Sequence, residues 1–110
     1  MSASSRENPN GISCSENKER VLVTLWGEID ISLREDASAA MVYVVRSAKP
    51  IIVDAKDISF IDSSGLAFLL HLNTVAKENG LQVELRNPTE NVLDLLEVVG
   101  MVDRFKVVTK

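Results

Sequence analysis

The chain has 110 residues, 45% of them hydrophobic and 25% charged, which suits one compact globular domain with a real core. The net charge is −4 with no run of Lys or Arg, so electrostatic binding to nucleic acid or to an anionic membrane is not expected. No apolar stretch is long enough to span a bilayer, and the polar start lacks the apolar core of a secretory signal; the cytosol is the expected compartment. The single cysteine, Cys14, has no second thiol for an intrachain disulfide or a shared metal, and reads as a small, inert apolar residue.

Residues 1–11 are rich in Ser and Asn, include Pro9 and read as a disordered arm before a single domain over residues 12–110. Residues 12–16 alternate apolar and polar side chains as a short strand, with a turn at 17–20. Val21-Leu22-Val23-Thr24-Leu25-Trp26 is a β-rich run that Gly27 breaks, and Glu28-Ile29-Asp30 leads into a loop. Residues 34–48 carry Ala37, Ala40, Met41, Val44, Val45 and Ala48 at helical spacing, ended by Pro50. Ile51-Ile52-Val53-Asp54-Ala55 has the nearly continuous apolar pattern of a strand covered on both faces. Residues 56–61 then read as a connector.

A second helix is expected over residues 65–78, capped by Asn79-Gly80. Its stripe Leu66, Leu69, Leu70, Asn73 and Ala76 should face the sheet. Residues 81–86 alternate as a strand. Thr89 is a candidate N-cap for a third helix that Gly100 stops, and residues 105–108 form a last short strand or an extended tail. Strands alternating with helices predict an α/β fold, a partly parallel sheet of four to five strands with helices packed against it.

The chemistry concentrates at Ile61-Asp62-Ser63-Ser64-Gly65-Leu66, where an apolar run delivers two hydroxyls to a helix start. Free backbone N–H groups and the helix dipole there favour an anion. A serine at this point can cap the helix, hold an anion or accept a phosphate. Asp62 is suited to a mixed role in capping the helix start and orienting Ser64, and Ser63 to a structural or capping role. No Gly-rich phosphate loop, metal-ligand cluster or Gly-x-Ser-x-Gly elbow is present. Ser64 and His71 fail as a nucleophile and base, because seven residues of helix separate them by roughly 10 Å. His71 reads as a solvent-facing helical residue, and Trp26 as core.

The second helix is also apolar outside its sheet-facing stripe, at Ala67, Phe68, Leu72 and Val75. Either another helix covers this surface, or Ala67, Phe68 and His71, with Leu72, form a docking patch beside Ser64. On the docking reading, Phe68→Asp weakens partner binding and leaves the fold intact.

Residues 51–54 and Phe60-Ile61-Asp62-Ser63-Ser64-Gly65-Leu66 closely resemble the STAS domain family, and more narrowly the bacterial anti-sigma factor antagonists. Gly27-Glu28-Ile29-Asp30, the Asn79-Gly80 turn and Val99-Gly100-Met101 through Phe105 agree, so the resemblance runs from about Ile12 to the C-terminus. It implies a non-enzymatic, cofactor-free switch in which Ser64 is phosphorylated by an anti-sigma factor that is itself an ATP-dependent serine kinase. The unphosphorylated form would bind that kinase and free the sigma factor, and a metal-dependent serine phosphatase would restore it. The implied contact residues are Glu28, Asp30, Asp62, Ser63, Ser64 and Gly65. Where family members often cap the first helix with Thr or Ser, this chain has Leu33 preceded by Ser32, so that helix should start differently.

A phosphoserine carries about −1.5 to −2 charges, tolerable at a helix N-terminus but repulsive to an acidic partner surface. Asp30 would add to that charge if its loop shares the sheet end. A monomer is the simplest expectation. The rival readings are a STAS scaffold subunit of a larger signalling or transport assembly, and a nucleotide-binding module.

Overall fold

The computed structural model describes residues 8–110; the first seven residues of the expected arm lie outside the described residues. Five strands form one sheet in the order β1-β2-β3-β4-β5: β1 (Gly11–Glu16), β2 (Val21–Ile29), β3 (Ile51–Ile61), β4 (Val83–Arg86) and β5 (Lys106–Val108). β1 runs antiparallel to β2, and the other pairs are parallel. Three helices make the crossovers: α1 (Arg34–Ser47), α2 (Ser63–Glu78) and α3 (Glu90–Val98).

Each parallel crossover steps to the next strand in the same direction. Right-handed connections therefore place all three helices on one face of the sheet. Burial follows. Val21, Val23, Leu25, Val53 and Leu85 are fully buried beneath the helices. Leu22 lies open on the opposite face, and Glu84 and Arg86 are half-buried there. The Arg86 guanidinium donates to Glu84 through both Nε (3.0 Å) and Nη2 (2.7 Å), and Lys56 pairs with Asp54 at 3.2 Å. The expected two-sided cover of β3 holds at its start: Ile51 and Val53 face the helices, and Ile52, on the opposite face beside Leu22 and Glu84, is buried as well.

Two strands outrun their expected ends. β2 continues through Gly27, which lies at φ +76° beside a register shift against β3. A side chain at Gly27 would strike the Pro9 carbonyl and Asn10, which pass close by. β3 continues through residues 56–61, so the expected connector is strand. A second shift, between Thr24 and Trp26, lets Ala55, Ile58 and Ile61 all turn inward at spacings of three, a pattern that does not look like a strand in sequence. Residues 8–10 lie against β2: Trp26 Nε1 donates to the Asn8 carbonyl (2.9 Å) and Glu28 N–H to Asn10 Oδ1 (2.7 Å). Trp26 is core, as expected, with its ring packed over Gly11.

α2 is wedged between α1 and α3, and this explains its wide apolar surface. Leu66, Phe68, Leu69, Leu72 and Ala76 are all buried in one core cluster. Asn73 is buried too, and its Nδ2 donates to the Arg104 carbonyl at 3.0 Å. On α1 the buried positions are Ala40 and Val44, whereas Val45 and Ala48 are exposed; the expected apolar face is narrower than its periodicity implied. Asn79-Gly80 does end α2, with Leu81 N–H reaching the Ala76 carbonyl (2.8 Å) and Gly80 N–H the Lys77 carbonyl (3.0 Å).

Candidate functional site

The site is built where β2 and β3 end side by side. Ile29 and Ile61 are in register, and Asp62 N–H approaches the Ile29 carbonyl at 3.4 Å. Asp30 and Asp62 thus leave the sheet at the same level, and both carboxylates turn onto backbone. Asp62 is the N-cap of α2: its Oδ1 accepts from Ser64 N–H (2.9 Å) and Gly65 N–H (3.0 Å). Asp30 caps a short 3₁₀ turn, Ile31–Leu33, by accepting from Ser32 N–H (2.9 Å) and the Ser32 hydroxyl. The hydroxyl first, then the N–H, hold Asp30 below the usual carboxylate range. α1 starts from that turn with no side-chain cap at Leu33, the altered start anticipated there.

With Asp62 as the cap, neither serine is needed for it. This corrects the reading of Ser63 as a capping hydroxyl. Ser63 and Ser64 are the first two residues of α2, both exposed, and neither hydroxyl has a hydrogen-bond partner among the described residues. Gly65 lets the helix approach this closely: a Cβ there would sit 2.3 Å from the Ile29 carbonyl oxygen and 2.7 Å from Ile61 Cγ1. From α3, Asn91 Oδ1 accepts the Ile61 N–H at 2.7 Å and steadies the end of β3 just before the site.

Beside Ser64 a groove of about 380 Å³ opens between α1 and α2. Its floor is apolar, with Ile12, Ile29, Leu33, Met41 and Phe68; Asp30, Arg34, Ser64 and His71 supply its charged and polar groups. Ala67 and His71 are exposed at the groove, but Phe68 is 9% exposed and belongs to the core cluster. The proposed docking patch therefore keeps Ala67 and His71 and loses Phe68 and Leu72 as surface residues. Phe68→Asp should damage the fold, because it puts a carboxylate among apolar side chains without a partner. Glu28 is exposed on β2 and opposes Phe60 of β3, which is 51% exposed near the same sheet end.

Arg34, at the first position of α1, is the residue that sequence reasoning missed. It lines the groove opposite Ser64 and makes no ion pair among the described residues. Nothing in its sequence neighbourhood marks it, since only the packing of α1 on α2 brings it to the serine. Away from the site, burial pushes the Cys14 thiol up to about 11, so it stays protonated and unreactive at neutral pH. Among the described residues no group of three or more His, Cys, Asp or Glu is placed to hold a metal ion, and no helix is long and apolar enough to cross a membrane.

Four similarities to known proteins bear on this geometry. The anti-sigma-B factor antagonist of Bacillus subtilis (strain 168) is 24% identical over 92 residues, covering 84% of each chain. The structure of the anti-sigma factor antagonist SpoIIAA in its unphosphorylated form superposes with a TM-score of 0.76 at 20% identity, over 91% of this chain and 88% of that one. The Bacillus cell fate determinant SpoIIAA in its phosphorylated form superposes with a TM-score of 0.74 at 20% identity, over 91% of each chain, so this fold is common to both forms of that relative. The family described as "Mlab, STAS domain" matches residues 12–109, nearly the whole chain, and the protein belongs to the STAS domain family.

Proposed function

We propose that the protein is an anti-sigma factor antagonist that works by partner switching, with Ser64 as its phosphoacceptor. The observation that carries this reading is the division of labour at the start of α2. Asp62 takes the capping bonds, and the Ser64 hydroxyl is left exposed beside a groove, without a partner among the described residues. The same arrangement lies in a chain that matches an anti-sigma-B factor antagonist along 84% of its length.

In its unphosphorylated form the protein binds an anti-sigma factor that is also an ATP-dependent serine kinase, and the sigma factor is released. Glu28, Asp30, Asp62, Ser63, Ser64, Gly65, Ala67 and His71 are the proposed contact surface. The kinase ends the complex by phosphorylation. Ser64 Oγ attacks the γ-phosphorus of ATP, the bond to the ADP oxygen breaks, and the hydroxyl proton passes to a base of the kinase. A serine phosphatase hydrolyses the ester and resets the switch. The protein itself is non-catalytic and acts in the cytosol as a monomer.

The fold tolerates the modification, because the added charge sits at a helix N-terminus. The binding surface does not, since each 1.4 kcal/mol of repulsion or desolvation lowers affinity tenfold. The test is a pull-down from the source cell with wild-type, Ser64→Ala and Ser64→Asp baits, paired with mass spectrometry of the wild-type chain after incubation with ATP. An ATPase-type kinase should bind the first two baits and be lost from the third, and one phosphate should map to Ser64. Recovery of one unchanged set of many subunits by all three baits would instead favour a scaffold subunit.

A further inference from the structure

Arg34 is the one Lys or Arg among the described residues that line the groove beside Ser64. It projects from the first turn of α1, on the wall facing α2, and is exposed, with no ion pair or hydrogen bond to its side chain among the described residues. The neighbouring carboxylates do not hold it: Asp30 accepts from Ser32, and Asp62 accepts from Ser64 N–H and Gly65 N–H. Arg34 and the Ser64 hydroxyl thus line one groove from two helices, and neither has a side-chain partner among the described residues.

We propose that Arg34 is the internal partner of a phosphate on Ser64, and that their pairing across the groove closes it. The inference rests on Ser64 being the phosphoacceptor and adds how the modified state is held. The dianion needs a cation, because Asp30 and Asp62 both lie close and Asp62 already occupies two N–H groups of the α2 N-terminus. Arg offers a planar fork of donors that matches phosphate oxygens. The bridge spans the mouth of the groove and covers its apolar floor at Leu33 and Met41. Phosphorylation then acts in two ways at once: it adds negative charge, and it removes an apolar recess from the partner's reach.

The test is a ³¹P NMR titration of protein carrying phosphoserine introduced at position 64 during translation, which needs no kinase. The titratable and charged groups around Ser64 are Arg34 from α1, Asp30 from the end of β2, and Asp62 and His71 from the N-cap and third turn of α2. Arg34 favours the dianion, so the second phosphate pKa, ordinarily about 6, should be lower in wild type than in Arg34→Gln by roughly one unit. Arg46→Gln, which removes the same charge from the last turn of α1, should leave the titration unchanged. Equal pKa values in wild type and Arg34→Gln would overturn the proposal, as would an equal shift from Arg46→Gln, which would indicate only the general field of the protein. A failed pull-down or an unmodified Ser64 in the cell would refute the phosphorylation reading without altering this titration.

Discussion

Helices α2 and α3 begin at the same end of the sheet, each following a parallel strand, and their first turns are built differently. α2 is capped by a carboxylate that takes two backbone N–H groups and leaves two exposed serines free. α3 starts at Thr89, whose backbone is extended as a cap requires, but whose Oγ1 is buried and bonds to nothing among the described residues. Its polar contribution comes two residues on, still in the first turn, where Asn91 reaches back to the Ile61 N–H. A hydroxyl is available for chemistry where another group does the capping. Where the hydroxyl is buried, the helix start serves structure alone.

The comparison breaks most severely at Gly65. Gly65→Ala forces a methyl against the Ile29 carbonyl and the Ile61 side chain, and β2, β3 and α2 cannot all keep their places. Urea denaturation should register a loss of about 3 kcal/mol, at the high end for overpacking a tight site. A loss below about 1 kcal/mol would mean that the helix start yields easily. Next comes Asn91→Leu, which orphans the Ile61 N–H and should cost about 2 kcal/mol. The amide proton of Ile61 should also exchange faster in that variant, since its acceptor has gone. Unchanged exchange would show that Asn91 does not steady the site.

Asp62→Ala removes the cap and should lower stability by about 1 kcal/mol, measured by the same denaturation. It also asks which group takes over. If Ser63 turns in to cap, helix stability recovers in part, and the freedom of the hydroxyls at this helix start is what is lost. Ser63→Ala in the Asp62→Ala background should then cost more than Ser63→Ala alone.

How much of this could be read from residues follows from the same two helix starts. Asp-Ser-Ser-Gly-Leu at the end of an apolar run placed the site, because capping and dipole effects are local and act within one turn. A capping role for Asp62 was legible, but the exclusion of Ser63 was not, since both residue types cap equally well and only backbone angles choose between them. The register shifts were also hidden. They reset the inward side chains of β3 to Ala55, Ile58 and Ile61, so the six residues before Asp62 looked like a connector. Phe68 was misplaced because a helix flanked on two sides needs apolar residues around most of its circumference, and sequence does not reveal how many neighbours it has. Arg34 depends on tertiary packing from start to finish.

The opposite end of the sheet provides a smaller, pH-dependent contrast. Glu16 accepts from Lys49 and from Ser47 Oγ (2.7 Å), and chiefly the Lys49 bond, then that of Ser47, lowers its carboxyl from 4.5 to about 2. A depressed carboxylate contributes stability above its unfolded value, and that contribution is lost as pH falls from about 4.5 towards 2. Thermal melts across this window should therefore fall less steeply in Lys49→Met than in wild type. The effect should be modest, since the pair is exposed and screened. Parallel curves for the two proteins would show that the pair is not held in solution.

The smallest effect is expected at Thr89, and it decides whether the comparison of the two helix starts is sound. Thr89→Val keeps the shape and removes only the hydroxyl. If that hydroxyl caps nothing, no hydrogen bond is lost and a buried polar atom is exchanged for a methyl, so stability should stay within about 1 kcal/mol of wild type or rise. A cap bond formed in solution would instead make this substitution as costly as Asp62→Ala. Thr89→Asp separates the cases further. A carboxylate at an N-cap stabilises when it can reach the N–H groups of the first turn, and destabilises when it stays where the threonine oxygen is buried. A more stable Thr89→Asp would mean that α3 can adopt the α2 arrangement. A less stable one would mean that the burial of its first turn, not its residue type, keeps this second helix start out of the protein's exposed chemistry.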